Sequence, residues 1–221
     1  MTNIKLSKRL SVIAFFVPDN AVIADIGCDH ALLDVYLSKS NIIKKSFAVD
    51  ITKGALNQAD KNIKLYNAKN IETRLSDGFE KIDIKDNVDT VIMSGLGDAK
   101  IISILKEAKE KLDKVNNIII QSNVGVSNIR VYLTYNGYYI DNEKLVKDND
   151  IIYTIISFKK GKKRYNRKEL YSFNRLIEKT MSTTVIIILA VVGIALILIF
   201  FYNNLVKLRN NRINAFANID V

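Results

Sequence analysis

The chain has 221 residues, enough for one domain of ordinary size and a short appendage. Its 48% hydrophobic and 25% charged residues, with a single proline, exclude a disordered or collagen-like chain. The single cysteine, Cys28, excludes an internal disulfide framework, and no cluster of Cys and His residues indicates a zinc site. The first twenty residues predict an amphipathic helix, because their apolar run is short and is interrupted by Lys and Arg.

The net charge of +10 is concentrated in one segment. Residues 159–179, the basic belt, carry nine Lys or Arg against two Glu, and residues 181–221 add +2, which leaves only +1 for residues 1–158. Such a belt could contact RNA phosphates, lie on anionic lipid, or be a solvated linker. The first 158 residues therefore form a nearly neutral domain.

Five short segments rich in Val and Ile each end in a small or polar residue, as buried parallel strands do where they meet their loops. They cover residues 21–27, 46–51, 71–77, 89–95 and 116–123. Between them apolar residues recur at helical spacing, for example at Leu56, Ala59, Ile63 and Tyr66. This alternation predicts βαβ units, a parallel sheet and helices on both of its faces.

A different pattern follows the fifth strand. A helix is predicted over residues 124–135, and the extended segments "GYYIDNEKLV" and "DIIYTIISFKK" then follow without a helix between them. Two strands joined in this way pair antiparallel or lie apart. Five parallel strands and a terminal antiparallel pair are typical of the Rossmann-like α/β fold of class I methyltransferases. We assign residues 1–160 to this domain and residues 161–180 to a basic linker with the truncated start of a helical extension.

The last part of the chain contains a long apolar run. Seventeen consecutive residues, 185–201, are apolar. At about 1.5 Å per residue they would extend ~26 Å, close to the ~30 Å hydrocarbon core of a bilayer. The run predicts a membrane span over residues 184–202, within an anchor segment 181–221.

Acidic residues follow three successive predicted strands. Asp25 and Asp29 flank Gly27 in "DIGCDHA", Asp50 follows the second strand, and Asp77 follows the third. Ligands of an open α/β sheet lie at the carboxyl ends of its strands, where the strand order reverses. Asp50 there could accept hydrogen bonds from ribose hydroxyls, and Asp77 could hold the exocyclic amine of adenine. One such acid is often a helix cap, but three in succession favour a cofactor that contains a nucleoside.

A dinucleotide is the competing cofactor. Its binding motif, G-x-G-x-x-G, needs three glycines, whereas only Gly27 is present here. Asp29 would also repel the phosphates of a dinucleotide. S-adenosylmethionine has no phosphate and carries an ammonium and a sulfonium group, so Asp25 and Asp29 suit it better. The residues therefore favour S-adenosylmethionine.

The loop after the fourth strand, "MSGLGDAK", is a candidate for contact with the substrate. Gly95 and Gly97 would allow close approach, and Ser94 offers hydrogen-bond acceptors. The alternative is a glycine-rich turn that only begins a helix. His30, the single histidine, is more typical of a structural hydrogen bond than of a catalyst, and Cys28 is interpreted as a small packing residue.

The segments "LSKRL", "VIADIGCDHALLDVYL", "VDTVIMSGLG", "QSNVG" and "NGYYI" resemble the bacterial tRNA adenine-N1 methyltransferases that modify position 22. The resemblance runs in order over about residues 4–160, and weakly on to residue 180. It implies S-adenosylmethionine as methyl donor and tRNA as substrate. It also implies two sets of site residues: Asp29, Ser94 and Gly95 beside the target base, and Asp25, Gly27, His30, Asp50, Asp77, Gly78, Leu96 and Gly97 around the cofactor.

Two positions differ from the usual pattern of that family. This chain has "GLGD" where the family has "GMGG", which places the Asp98 carboxylate near an RNA-facing loop, and "QSN" where it has "QPN", which introduces Ser122. The implied reaction is a direct displacement. Adenine N1 has an in-plane lone pair and no proton to remove, so catalysis depends on alignment and on tolerance of the positive charge that develops on the base. The base must be unpaired or flipped for N1 to react.

Residues 181–221 resemble the N-terminus of the LemA family of membrane-anchored helical proteins. Taken alone, this segment has Lys and Arg only after the apolar run, which favours a cytoplasmic C-terminal side. In the whole chain, the nine Lys and Arg of the basic belt precede the run and favour a cytoplasmic N-terminal side. Two interpretations stay open: two joined reading frames, or an enzyme whose cytoplasmic domain is anchored to a membrane. Alternative functions are a non-catalytic, membrane-tethered binder of cofactor or RNA, and a LemA-type membrane protein with an incidental N-terminal fusion.

Overall fold

The structure, a computed structural model, describes residues 4–171, Ile188 and residues 191–206. The chain divides into two compact units, Met1–Phe173 and Asn174–Val221, and each is considered by itself. The strands of the first unit are β1 (Ala21–Ile26), β2 (Ile43–Asp50), β3 (Ile71–Leu75), β4 (Thr90–Leu96), β5 (Asn117–Ser122), β6 (Tyr138–Asp148) and β7 (Ile151–Lys160). Its helices are α1 (Lys8–Phe16), α2 (Leu32–Lys39), α3 (Lys53–Leu65), α4 (Asp98–Glu107), α5 (Val126–Tyr135) and α6 (Arg167–Tyr171).

The seven strands form one sheet in the order β3-β2-β1-β4-β5-β7-β6. Strands β1 to β5 are parallel, whereas β7 pairs antiparallel with both β5 and β6. This confirms the predicted Rossmann-like arrangement of five parallel strands with a terminal antiparallel pair. Strand order reverses at β1, which lies between β2 and β4, so the fold places its crevice at the carboxyl ends of these strands.

Side chains that alternate along each strand divide the core between the two faces of the sheet. Helices α1 and α2 cover one face, where Ile23, Ile92 and Ile119 are buried. Helices α4 and α5 cover the other face, where Val91 and Ile118 are buried. Burial of each such side chain stabilises the fold by roughly 1.5–3 kcal/mol. Because both faces are covered, the central strands contain nearly continuous apolar runs.

Helix α1 confirms the predicted amphipathic helix near the N-terminus. The hydroxyl of Ser7 caps it by accepting a hydrogen bond from the backbone N–H of Leu10 at 3.3 Å. Ile13 and Ala14 bury its apolar side against the sheet. The carboxylate of Asp148, at the end of β6, accepts a hydrogen bond from the backbone N–H of Arg9 at 3.1 Å. The first turn of α1 is thereby held at the carboxyl edge of the sheet.

In the second unit, residues 191–206 are helical. Sixteen helical residues extend ~24 Å. Among the residues that the structure describes, no helix is both long enough and apolar enough to cross a membrane, so the predicted span over residues 184–202 is not supported. Residues 184–187, 189 and 190 of that predicted span lie outside the described residues, as do residues 172–180 of the linker and 207–221 of the LemA-like segment.

Candidate active site

A cavity of about 360 Å³ lies at the carboxyl ends of β1, β2 and β4. This volume lies within the range of small-molecule and cofactor sites, and the position is the point at which the strand order reverses. The cavity is lined by Arg9, Leu10, Asp25, Gly27, Cys28, Asp29, His30, Leu32, Leu33, Asp50, Ser94, Gly95 and Leu96.

The turn after β1 is tight and strained. Gly27, Asp29 and Ala31 all have left-handed backbones, with φ of 79°, 51° and 51°. The N–H groups of Gly27 and Cys28 both donate to the carbonyl oxygen of Val49 in β2, at 2.8 and 3.0 Å. Left-handed backbone at non-glycine residues persists only where the surroundings enforce it, and it clusters at functional sites. The turn thus presents its backbone to the cavity in a fixed conformation.

The carboxylate of Asp50 is oriented by its neighbours. One oxygen, Oδ1, accepts from the backbone N–H and the hydroxyl of Thr52 at 2.8 and 2.9 Å. The other, Oδ2, accepts from the backbone N–H of Asp29 at 3.3 Å, which leaves it capacity for a second donor. The adjacent Ile51 side chain is 63% exposed. A carboxylate oxygen can accept a hydrogen bond from a ribose hydroxyl, and an exposed apolar side chain beside it can pack against the flat base of the same nucleoside.

Asp25, at the end of β1, is 5% exposed and lies against a second buried carboxyl, Asp34 of α2. Burial raises the pKa of Asp25 well above its usual value of 3.8, and the charges of Asp34 and Asp50 raise it further. Burial likewise raises the pKa of Asp34, against the effect of the hydrogen bond from the hydroxyl of Ser46. Two adjacent buried carboxyls resist double ionisation, so this pair retains a proton more readily than exposed acids do.

Arg9 and the end of β4 form the other side of the cavity, and the buried Gln121 of β5 supports them from behind. The side-chain oxygen of Gln121 accepts from the backbone N–H of Gly95 at 3.1 Å. The guanidinium Nη1 of Arg9 donates to the same oxygen at 2.6 Å and to the hydroxyl of Ser94 at 2.7 Å. Asn123 donates from Nδ2 to the carbonyl oxygen of Gly95 at 3.2 Å. These bonds fix the turn at Ser94 and Gly95, which we call the base-side turn.

Eight of the predicted site residues lie together in the cavity lining: Asp25, Gly27, Asp29, His30, Asp50, Ser94, Gly95 and Leu96. Within this group, Nε2 of His30 lies 3.2 Å from Oδ1 of Asp29, and both side chains are largely exposed. A contact between two side chains as exposed as these adds little stability.

Three of the predicted residues lie outside the lining. The Asp77 carboxylate pairs with the ammonium group of Lys100 at 2.8 Å. Gly78 lies against Ile104, where an added β-carbon would come within 3.1 Å of the isoleucine side chain. Gly97 is the N-cap of α4. Conversely, Arg9 lines the polar side of the cavity and the buried Gln121 supports that side through its bonds to Arg9 and Gly95. The strand-end argument did not select either residue, because it considered only the loops after β1 to β4.

The fold and the cavity together define a Rossmann-like methyltransferase, and a family model described as a methyltransferase domain matches residues 6–156. The chain is 32% identical over 162 residues to the tRNA (adenine(22)-N(1))-methyltransferase of Bacillus subtilis, covering 73% of this chain and 68% of that protein. It therefore belongs to the family of tRNA (adenine(22)-N(1))-methyltransferases.

Solved structures agree with this assignment. M. capricolum TrmK, in complex with the natural cofactor product S-adenosyl-homocysteine, is 35% identical, with a TM-score of 0.68 and coverage of 75% of this chain and 74% of that one. The B. subtilis M1A22 tRNA methyltransferase TrmK is 30% identical, with a TM-score of 0.69 and coverage of 79% and 73%. The matched family model ends before residue 181, so the resemblance of residues 181–221 to LemA stays a prediction.

Proposed function

We propose that this chain uses S-adenosylmethionine to methylate adenine N1 at position 22 of tRNA. The observation that carries the proposal is the contrast between the two sides of the cavity. The buried carboxyl group of Asp25 and the carboxylates of Asp29 and Asp50 line one side, and the polar base-side turn at Ser94 and Gly95 lines the other. A cationic nucleoside cofactor and a neutral, polar base edge have the complementary chemistry.

The lining residues suit S-adenosylmethionine as a group. When bound, it supplies an electrophilic methyl group on a positively charged sulfur. The Asp50 Oδ2 atom has capacity for a ribose hydroxyl, and the exposed Ile51 side chain offers an apolar surface for adenine. The Asp29 side chain is 79% exposed and available to a cationic amine. These assignments follow from the chemistry of the donors and acceptors present.

The residues of the base-side turn would hold the target base for a direct displacement. Adenine N1 attacks through its own lone pair, so the site needs alignment rather than a general base. Gly95 exposes backbone to the cavity, and Ser94 is fixed by its bond from Arg9. As N1 gains the methyl group, positive charge develops on the base, and the carboxylates across the cavity favour that charge.

The test is methyl transfer from labelled S-adenosylmethionine to an unmodified tRNA transcript, followed by nucleoside analysis for 1-methyladenosine. A transcript with guanosine at position 22 identifies the target nucleotide. Asp50→Ala should weaken cofactor binding and lower turnover, because its carboxylate lies in the cavity. Asp19→Ala, which removes an exposed carboxylate outside the lining, is the matched control.

Different failures lead to different conclusions. Cofactor binding without any turnover would favour the alternative of a non-catalytic binder. Methylation that persists on the guanosine-22 transcript would retain the enzyme class but reject the target position. Asp29→Ala with full turnover would remove Asp29 from the proposed charge stabilisation.

A further inference from the structure

Arg9 reaches the cavity from helix α1, far in sequence from the groups that it contacts. Its partners Ser94 and Gln121 lie 85 and 112 residues further along the chain. The same guanidinium nitrogen, Nη1, bonds both, at 2.7 and 2.6 Å. A guanidinium is planar and carries five N–H donors in fixed directions, so two bonds from it define the relative position of their acceptors. Arg9 therefore couples the ends of β4 and β5.

Gln121 transmits this constraint to the base-side turn. Its side chain is fully buried, and its oxygen accepts from Gly95 N–H at 3.1 Å as well as from Arg9. Its amide nitrogen donates to Asn123 Oδ1 at 3.0 Å. Rotation of the buried amide would leave several polar groups unpaired, which is unfavourable. The orientation of Gln121 thus determines where the Gly95 N–H points.

Arg9 is itself held on two sides by the β6–β7 hairpin. Its backbone N–H donates to Asp148 Oδ2 at 3.1 Å, and its guanidinium carbon lies 5.5 Å from the centre of the Tyr153 ring. A cation over an aromatic face at this distance is an attractive contact. With its main chain and side chain both fixed, Arg9 has little freedom to reorient.

We propose that Arg9 is a positioning residue for methyl transfer, holding the base-side turn through Gln121 Oε1 and Ser94 Oγ in the conformation that receives the target base. The identity of that base rests on the proposed function, whereas the relay of hydrogen bonds does not. Misplacement of a reacting group by about 1 Å lowers rates roughly 100-fold. Loss of Arg9 should therefore lower kcat while leaving cofactor affinity nearly unchanged.

The experiment uses the full 221-residue chain and the variants Arg9→Ala, Arg9→Lys and Lys8→Ala. For each, kcat and KM are measured with tRNA transcript, and the Kd for S-adenosylmethionine is measured by calorimetry. Arg9→Ala should lower kcat by about 10- to 100-fold. Arg9→Lys should restore only part of the loss. The lysine ammonium keeps a charged donor but lacks the fixed, planar arrangement of donors in a guanidinium. Lys8→Ala removes an exposed cation from the same helix and should behave as wild type.

A second measurement separates positioning from direct contact with tRNA phosphate. In a double-mutant cycle, Arg9→Ala and Gln121→Ala should together cost less than the product of their separate losses, because both disrupt one relay. An Arg9 that contacts phosphate would instead raise the KM for tRNA, more so at low salt, and its effect would multiply with that of Gln121→Ala. That result would overturn the proposal.

Hydrogen exchange of the segment 93–98 provides a test without tRNA. Arg9→Ala should accelerate exchange in this segment, and Lys8→Ala should not. Unchanged exchange in Arg9→Ala would reject the positioning role even if turnover fell. Conversely, accelerated exchange together with a wild-type chain that fails to methylate tRNA would retain the relay and reject the proposed function.

Discussion

The carboxylate of Asp98 lies directly over Gly125: a β-carbon at Gly125 would come within 2.0 Å of the carboxylate carbon. The Oδ2 atom of Asp98 also accepts a hydrogen bond from Asn128 Nδ2 at 2.6 Å. Asp98 begins α4, and Gly125 is the left-handed N-cap of α5, with φ of 64°. The acidic residue of "GLGD" therefore joins the loops after β4 and β5, and Asp98 is not part of the cavity lining.

Gly125→Ala should destabilise the domain by about 2–5 kcal/mol. A left-handed alanine costs roughly 1–2 kcal/mol, and forcing its methyl group against Asp98 adds the cost of overpacking, about 1–3 kcal/mol. The free energy of unfolding from urea denaturation measures the change. Gly54→Ala is the matched control, because nothing lies within 4 Å of its added β-carbon and Gly54 is in the helix α3. That substitution should stabilise by up to about 1 kcal/mol; equal losses in both variants would contradict the steric explanation.

Asp34→Asn should stabilise the domain increasingly as the pH rises above about 4. The pKa of Asp34 is raised by burial, so the folded wild-type protein binds more protons than the unfolded chain between the two pKa values and loses stability with rising pH. An asparagine removes this penalty and can still accept from Ser46. We expect a gain in the free energy of unfolding at pH 8 and almost none at pH 4 in urea titrations. Asp19→Asn, at an exposed position, should show no such trend; a gain independent of pH would contradict the prediction.

Asp86→Asn should show the opposite pH dependence. Two hydrogen bonds from the Arg74 guanidinium, at 2.5 and 2.9 Å, hold the pKa of Asp86 below its usual 3.8. The carboxylate therefore stabilises the fold above pH 4, and this contribution is lost as the pH falls through the lowered pKa. Asparagine should cost about 1–3 kcal/mol at pH 7, and the difference should vanish in strong acid. A deficit that persists after the native carboxyl is protonated would point to lost packing instead.

The part of the basic belt next to β7 lies at the edge of the sheet opposite the cavity. Lys159 pairs with Asn117, the first residue of β5, and Lys162, Lys163 and Arg164 follow as exposed cations. Replacing these last three with alanine should leave the affinity for S-adenosylmethionine unchanged. The KM for tRNA should rise several-fold at low salt, and the difference should fade at high salt, because their effect on a polyanion is electrostatic.

A charge-matched variant of α3 and its following loop, with alanine at Lys61, Lys64 and Lys69, distinguishes a docking surface from net charge alone. Equal increases in KM for the two triple variants would mean that only the net charge matters. A change in cofactor affinity in the basic-belt variant would contradict the placement of these cations away from the cavity.

The local pattern of apolar residues was sufficient to predict most of the strands in the sheet. Val- and Ile-rich strands buried on both faces are recognisable from composition alone. The less buried β3 and β6 were predicted as well, so that all seven strands were expected. Strand β2 begins at Ile43, three residues before the predicted start. The three additional strand residues include Lys44 and Lys45, and the ammonium group of Lys45 pairs with the carboxylate of Glu72 in β3 at 2.8 Å. A cross-strand ion pair depends on tertiary pairing, so the apolar pattern alone did not indicate it.

The residues of the candidate site likewise fall into two groups: those that strand position predicts, and those that depend on tertiary packing. Asp25, Gly27, Asp29 and Asp50 follow from position, because the carboxyl ends of parallel strands must converge. Asp77 was predicted by the same rule, but Lys100 of α4 pairs with it outside the lining. Arg9 could not be predicted in this way, since its role depends on where an N-terminal helix packs relative to strands that come much later in the chain.

The link between Arg9 and the last hairpin also has a consequence for biosynthesis. Asp148 and Arg9 are separated by 139 residues, so α1 acquires its anchor only when β6 has been made and paired with β7. Contacts so distant in sequence form late, and chains are synthesised from the N-terminus at about 5–20 residues per second. A nascent chain that has completed β1 to β5 already has the acidic half of its cavity. Its Arg9 has been synthesised, but Asp148 does not yet hold it beside the base-side turn. Such a chain would remain catalytically silent until its final strands emerge.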